Sequence, residues 1–250
     1  MKKLPVYLLI LLLALSACST GNASPLQPAE AASSVPTAET VSSPVSLPVG
    51  TDSDADPTLS DMADIALEGH SIIVSGAGAV ANGRTLTITS AGRYTLHGPL
   101  TDGQIVVSAS NQDVVELALN GVDITSTTSA PIYVKSAEKV ILVLVDGSQN
   151  TVTDSDSYLM EEPGADEPNA AIFSQDDLTI KGGGALTVNA NYRHGIFSKD
   201  DLKINGGTLT VNSLVDGLKG RDSITIKDGV ITINAGGDGM QSTNEAEADQ

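Results

Sequence analysis

Tryptophan is absent, cysteine occurs once, and only 2 Phe and 5 Tyr are present in 250 residues. A single Cys excludes a disulfide framework and any Cys-based metal site. With 3 scattered His there is no transition-metal cluster, and neither a Ser-His-Asp pattern nor a phosphate-cradling loop is found. Positive charge is also scarce: 13 Lys+Arg stand against 31 Asp+Glu, a formal charge of -18. Such a field repels polyanions, so sequence-independent binding to nucleic acid or anionic lipid by attraction is excluded. Long apolar runs are missing too, since the longest, Leu4 to Leu15, is too short for a comfortable membrane span. What is plentiful is glycine, at 24, and hydrophobic residues, at 40 %, enough for a core with many tight turns.

The N-terminus reads as an export and anchoring signal. Lys2 and Lys3 precede the apolar run, and Leu15-Ser16-Ala17-Cys18 follows it. That tetrad resembles the bacterial lipobox, in which cleavage leaves Cys at the new N-terminus for lipidation. Residues 1–17 are therefore expected to be removed and Cys18 to carry lipid, tethering the protein to a bacterial membrane outside the cytoplasm. Residues 18–60 read as the lipidated Cys and a linker. Between 19 and 57, 24 of 39 residues are Ser, Thr, Pro or Ala, with 6 of the chain's 11 prolines and no apolar period.

From 61 to 250 the chain reads as one domain containing a repeat. Ile172-Phe173-Ser174-Gln175-Asp176-Asp177-Leu178-Thr179-Ile180 aligns with Ile196-Phe197-Ser198-Lys199-Asp200-Asp201-Leu202-Lys203-Ile204, and both align with Leu218-Lys219-Gly220-Arg221-Asp222-Ser223-Ile224-Thr225-Ile226. The repeats run 24, 22 and 22 residues, and Met240 starts a fourth. Leu, Ile and Val alternate at period 2 within them, as short half-buried strands do, and no stretch offers ten helical residues. The expectation is an all-β, right-handed parallel β-helix solenoid with rungs of about 22 residues, incomplete at its C-terminus. Ile132 and Ile172 stand 40 residues apart, so one rung carries an insertion, Asp154 to Pro168, which includes Asp154, Asp156, Glu161, Glu162, Asp166 and Glu167.

The Ile-x-Ser-Lys-Asp-Asp-Leu-x-Ile-x-Gly-Gly run, the Asp-Gly rung ends and Leu119-Asn120-Gly121-Val122-Asp123-Ile124 resemble a family of secreted bacterial carbohydrate-binding domain proteins, over about residues 65–245. The resemblance implies a parallel β-helix of pectate-lyase-like shape, Ca²⁺ in the fold, and cell-surface binding of plant-wall polysaccharide such as acidic pectin or cellulose.

Stacked rungs place equivalent residues roughly 4.8 Å apart. One column then holds Asp176, Asp200 and Asp222, flanked by Asp177 and Asp201; another holds His194, Asp216 and Asp238. Carboxylates at that spacing repel by roughly 3–4 kcal/mol at an effective dielectric near 20, which a Ca²⁺ ion would relieve. The alternative is that these Asp residues cap turns and pair with Lys199 and Arg221. A third column, Tyr133, Phe173, Phe197 and Lys219, should face outward as a sugar platform, or else lie under a loop such as the 154–168 insertion. Lys199 and Arg221 complete the expected carbohydrate-binding set. Asn189, Asn212 and Asn234 read as a structural ladder. The expected activity is non-catalytic polysaccharide binding with Ca²⁺ assistance. A Ca²⁺-dependent uronate lyase using Lys199 or Arg221 as base, and a structural adhesin, are the alternatives.

Overall fold

Strands form here because apolar residues recur at every second position, and successive side chains leave a strand on opposite sides. The computed structural model describes residues 59–160 and 162–243, all in the compact unit Ala55–Gln250. The export signal, Cys18 and nearly all of the linker lie outside the described residues. Among the described residues there are eighteen strands and no helix. In chain order they are β1 (Asp61–Leu67), β2 (Ile72–Gly76), β3 (Ala79–Asn82), β4 (Thr85–Ile88), β5 (Gly92–Leu100), β6 (Gln104–Ser108), β7 (Val114–Thr125), β8 (Ile132–Ser136) and β9 (Lys139–Leu144). There follow β10 (Gln149–Thr153), β11 (Ala170–Ser174), β12 (Asp177–Gly182), β13 (Ala185–Ala190), β14 (His194–Ser198), β15 (Asp201–Ser213), β16 (Leu218–Gly220), β17 (Ser223–Ala235) and β18 (Met240–Ser242).

They make two sheets. The eight-stranded sheet runs β18-β16-β14-β11-β8-β6-β4-β3, and the ten-stranded sheet contains β10, β13, β15, β12, β9, β7, β5, β1 and β2, with β17 on β15. Ile172 pairs with Ile196, Ile196 with Leu218, and Leu218 with Met240, so the aligned repeat positions are register partners.

The expected uniform right-handed solenoid of about 22-residue rungs is corrected by this topology. First, β7, β9, β12, β15, β13 and β10 pair in sequence and β10 pairs back onto β7, closing a six-stranded parallel barrel. Second, the sheets are mixed, because β2 and β3 pair antiparallel with β1 and β4. Third, partners along the eight-stranded sheet, from Leu86 through Ile105, Ile132, Ile172 and Ile196 to Leu218, are 19, 27, 40, 24 and 22 residues apart, so only the last part of the chain keeps the short period.

The barrel closes because β7 and β15 continue through a corner instead of ending there. Glycine permits this. Gly206 and Gly207 lie inside β15 at φ +154° and +92°. At the same corner of the chain before it, Gly182 has φ +103°, and a Cβ there would overlap the Leu144 carbonyl oxygen. Backbone thus passes over backbone at a distance that only glycine allows.

Inward residues form one continuous core between the sheets, including Leu96, Leu117, Leu142, Ile180 and Ile204. Each such side chain contributes roughly 1.5–3 kcal/mol on burial. A second, smaller cluster lies outside the eight-stranded sheet: Ala130, Ala170, Phe173 and Phe197, with Tyr133 and Tyr158 packed against it.

Candidate functional site: a charged groove on the ten-stranded sheet

The aromatic column stacks as the sequence implies, since Tyr133 pairs with Phe173, Phe173 with Phe197, and Phe197 with Lys219. Its exposure is the correction: Phe173 is fully buried and Phe197 is 7 % exposed. The insertion covers them. Tyr158 packs on the cluster, donates its hydroxyl hydrogen to Asp154 Oδ2 at 2.6 Å, and stacks on Tyr192 at 4.3 Å. Glu167 then ties the loop to Lys199 at 2.8 Å. Burial raises the Asp154 and Tyr158 pKa values, so the hydroxyl stays protonated as the donor. Lys219 lies over the Phe197 ring at 5.3 Å and near Asp216. These rings are therefore packing, not an open sugar platform.

The acidic columns are occupied by structural partners. Asp176 accepts the Ala137 N–H at 3.0 Å and Asp177 accepts the Asp201 N–H at 3.1 Å. Asp201 accepts the Ser223 hydroxyl, and Asp222 pairs with Arg221 at 3.1 Å. Asp216 accepts the Asp238 N–H, and Asp238 accepts Gln241 Nε2. Asp200 and Asp222 meet side chain to side chain, and burial raises the Asp200 pKa. Among the described residues no group of three or more His, Cys, Asp or Glu is arranged to hold a metal ion. Of the expected alternative partners, Arg221 pairs with Asp222, while Lys199 pairs with Glu167 and the backbone N–H groups bound by Asp176, Asp177 and Asp216 come from neighbouring segments, not from their own turns.

Beside Asp216, the buried His194 has its pKa lowered to about 4, first by burial and then by Lys219. Its Nδ1 lies 3.3 Å from the Asp216 backbone nitrogen and 3.2 Å from Asp216 Oδ2.

The sequence reading missed a different site. On the outer side of the ten-stranded sheet, Arg93 on β5 and Glu116 on β7 are register partners. Arg93 Nε hydrogen-bonds Glu116 Oε1, while Lys181 Nζ on β12 reaches Glu116 Oε2 at 3.3 Å. β9 lies between β7 and β12, so the Lys181 stem crosses it to make that contact. Glu116 is only 3 % exposed, and its carboxylate holds the Arg93 pKa above the ordinary value. Asp61 completes the Arg93 environment at 3.6 Å.

These residues line a groove of about 500 Å³, within the usual range for small-ligand sites, with Thr95 and Asn120 as further polar groups and Val143 and Val145 as an apolar strip. Arg93 and Lys181 donate and Glu116 accepts, all fixed by their mutual pairs. Such a groove suits a ligand with closely spaced hydroxyls above an apolar ring face. No sequence motif marks it, because Arg93, Glu116 and Lys181 are 23 and 65 residues apart along the chain and meet only in the folded sheet.

A family profile described as carbohydrate-binding domain-containing protein matches residues 82–250. A protein of the same description from Acetivibrio thermocellus is 48% identical over 130 residues, which are 52% of this chain and 46% of the relative, so the match spans about half the length of that relative. A solved structure, described as that of the polysaccharide lyase-like protein from C. thermocellum in a gadolinium derivative, is 45% identical with a TM-score of 0.73, covering 76% of this chain and 77% of the other. With more than half of its residues inside the profile, the chain belongs to the carbohydrate-binding domain-containing protein family.

Proposed function

We propose that the protein is a non-catalytic binder of plant-wall polysaccharide, held at the cell surface through Cys18, and that the Arg93–Glu116–Lys181 groove takes the sugar chain. The observation that carries the reading is a nearly buried carboxylate fixed between two cations in an open groove, inside a family named for carbohydrate binding. The pairs offset one another in charge, so the groove suits uncharged sugar hydroxyls better than a run of uronates. The test is calorimetric titration with soluble cello-oligosaccharides and with polygalacturonate. Arg93→Ala and Lys181→Ala should each weaken the preferred ligand by about tenfold, or about 1.4 kcal/mol. Unchanged affinity in both variants would remove the groove from the account.

Calcium assistance enters as a test of the same reading. Loss of polygalacturonate affinity on chelation would restore a bridging ion, and unchanged affinity would remove it. Membrane placement is checked by fractionation, with Cys18→Ser moving the protein to the soluble fraction.

The relative described as polysaccharide lyase-like raises β-elimination as a second reading. It needs an unprotonated amine or guanidine as base. Lys199 is paired to Glu167 and Arg221 to Asp222, so both candidate bases are engaged in ion pairs. The reading made here expects no unsaturated uronate product by ultraviolet absorbance; steady release lost on Arg221→Ala would establish the lyase.

A further inference from the structure

The chain passes a corner after β12 and within β15 and β17, and the second side of the ten-stranded sheet differs in kind from the first. Thr151, Thr187, Thr210 and Thr232 are successive register partners across β10, β13, β15 and β17. Two residues on, Thr153, Asn189, Asn212 and Asn234 form a second column. Two residues back, Gln149, Ala185, Thr208 and Val230 form a third. Their neighbours Leu186, Val188, Leu209 and Val211 are buried, so all three columns face outward. No register shift interrupts them from Thr208 onward in β15 and β17.

None of the twelve positions is charged, in a chain of net charge -18 with 18 % charged residues; the uncharged array ends at the next register partner of Thr151, the exposed Asp123 on β7. The first side of the same sheet bears Lys139, Asp177, Lys181, Asp201 and Lys203. A surface kept free of charge in so acidic a chain matches an uncharged partner, since no ion has to be desolvated on contact.

The array repeats at about 4.8 Å between strands and about 6.6 Å along them. Its side chains are already ordered. Thr is stiff at χ1. The amides hold one another: Asn234 Nδ2 donates to Asn212 Oδ1 and Asn212 Nδ2 to Asn189 Oδ1, both at 2.9 Å, and Asn189 Nδ2 donates to Thr153 Oγ1 at 3.1 Å. Each ladder amide keeps a second N–H, and each hydroxyl can donate or accept. Preordered groups lose little entropy on docking. A groove of about 500 Å³ runs beside the Asn column, walled by Ala190 and the exposed Leu214.

We propose that this Thr/Asn face docks onto the ordered surface of an insoluble, uncharged polysaccharide, where packed chains present hydroxyls at fixed intervals. The proposal rests on the polysaccharide-binding reading and adds a second surface to it, separate from the Arg93–Glu116–Lys181 groove.

The probes are microcrystalline cellulose, amorphous regenerated cellulose and a soluble cello-oligosaccharide, with the full chain. Wild type should adsorb to the microcrystalline form at least about tenfold more tightly than to the amorphous form. Thr187→Lys with Thr210→Lys should abolish that preference and leave oligosaccharide affinity within about twofold. Thr187→Val with Thr210→Val keeps the β-branched shape, guards against misfolding, and should lower microcrystalline adsorption by about fivefold. Equal adsorption to both celluloses, or unchanged adsorption by both double variants, would overturn the proposal. Oligosaccharide binding without microcrystalline adsorption would overturn it and leave the groove standing. Binding to neither would sink both. Slowed ice recrystallisation by wild type without cellulose adsorption would overturn it in favour of an ice surface.

Discussion

One sheet carries two outer faces, and β15 and β17 run through both. Before the corner, β15 presents Asp201 and Lys203; after it, the same strand presents Thr208, Thr210 and Asn212. The buried sides are alike, Leu202 and Ile204 before the corner and Leu209 and Val211 after it. Packing therefore dictates the inward half of each strand and leaves the outward half open to another requirement. On the first face that outward half forms paired charges around a groove, and on the second it forms an uncharged lattice. The difference teaches that burial alone does not set the outer columns of this fold.

The largest expected effect comes from breaking the corner that separates the faces. Gly182→Ala forces a Cβ into the Leu144 carbonyl at a positive φ, and should cost about 4 kcal/mol, read as a lower urea midpoint. Full retention of stability would mean that the corner does not hold the two faces in register.

Acid sharpens the comparison by acting elsewhere. The folded His194 pKa of about 4 lies below its unfolded value of 6.5, so the unfolded chain binds more protons between them and stability falls as pH drops through that window. The loss should approach about 3 kcal/mol by pH 4. His194→Gln should flatten this slope in urea unfolding, while oligosaccharide affinity at pH 6 stays the same in wild type and variant.

On the first face, Glu116→Gln leaves Arg93 and Lys181 without their shared carboxylate. Arg93 is half exposed, which limits the cost to about 2 kcal/mol in thermal unfolding. On the second face, Asn212→Ala removes two ladder hydrogen bonds at a partly exposed site and should cost about 1 kcal/mol. An Asn212 effect larger than that of Glu116 would reverse the ranking of the two faces.

Much of the local structure was legible in the sequence. The aligned triplet at Ile172, Ile196 and Leu218 is a set of strand partners, and the Asn column is a hydrogen-bonded ladder. The barrel was not legible, because its closure depends on whether a strand stops or bends at Gly182, Gly206 and Gly121, and glycine permits either. Alternation placed Phe173 and Phe197 outward, and of the two readings left open, a sugar platform or a face under the 154–168 insertion, the second is the one found, with Tyr158 packed on the cluster. Asp176, Asp177 and Asp216 accept backbone N–H groups from neighbouring segments, and those are partners a sequence does not display. The Arg93–Glu116–Lys181 groove left no signal because its members share no motif: Arg93 and Glu116 meet through strand register, and Lys181 reaches them across β9.

The central claim is that sugar meets the outer surface of the ten-stranded sheet. Hydrogen–deuterium exchange with saturating soluble cello-oligosaccharide addresses it most directly. The account predicts slowed exchange in segments around Arg93, Glu116, Val143 and Lys181, with the segment around Phe173 and Phe197 unchanged. Protection confined to the eight-stranded sheet and its covering loop would contradict it.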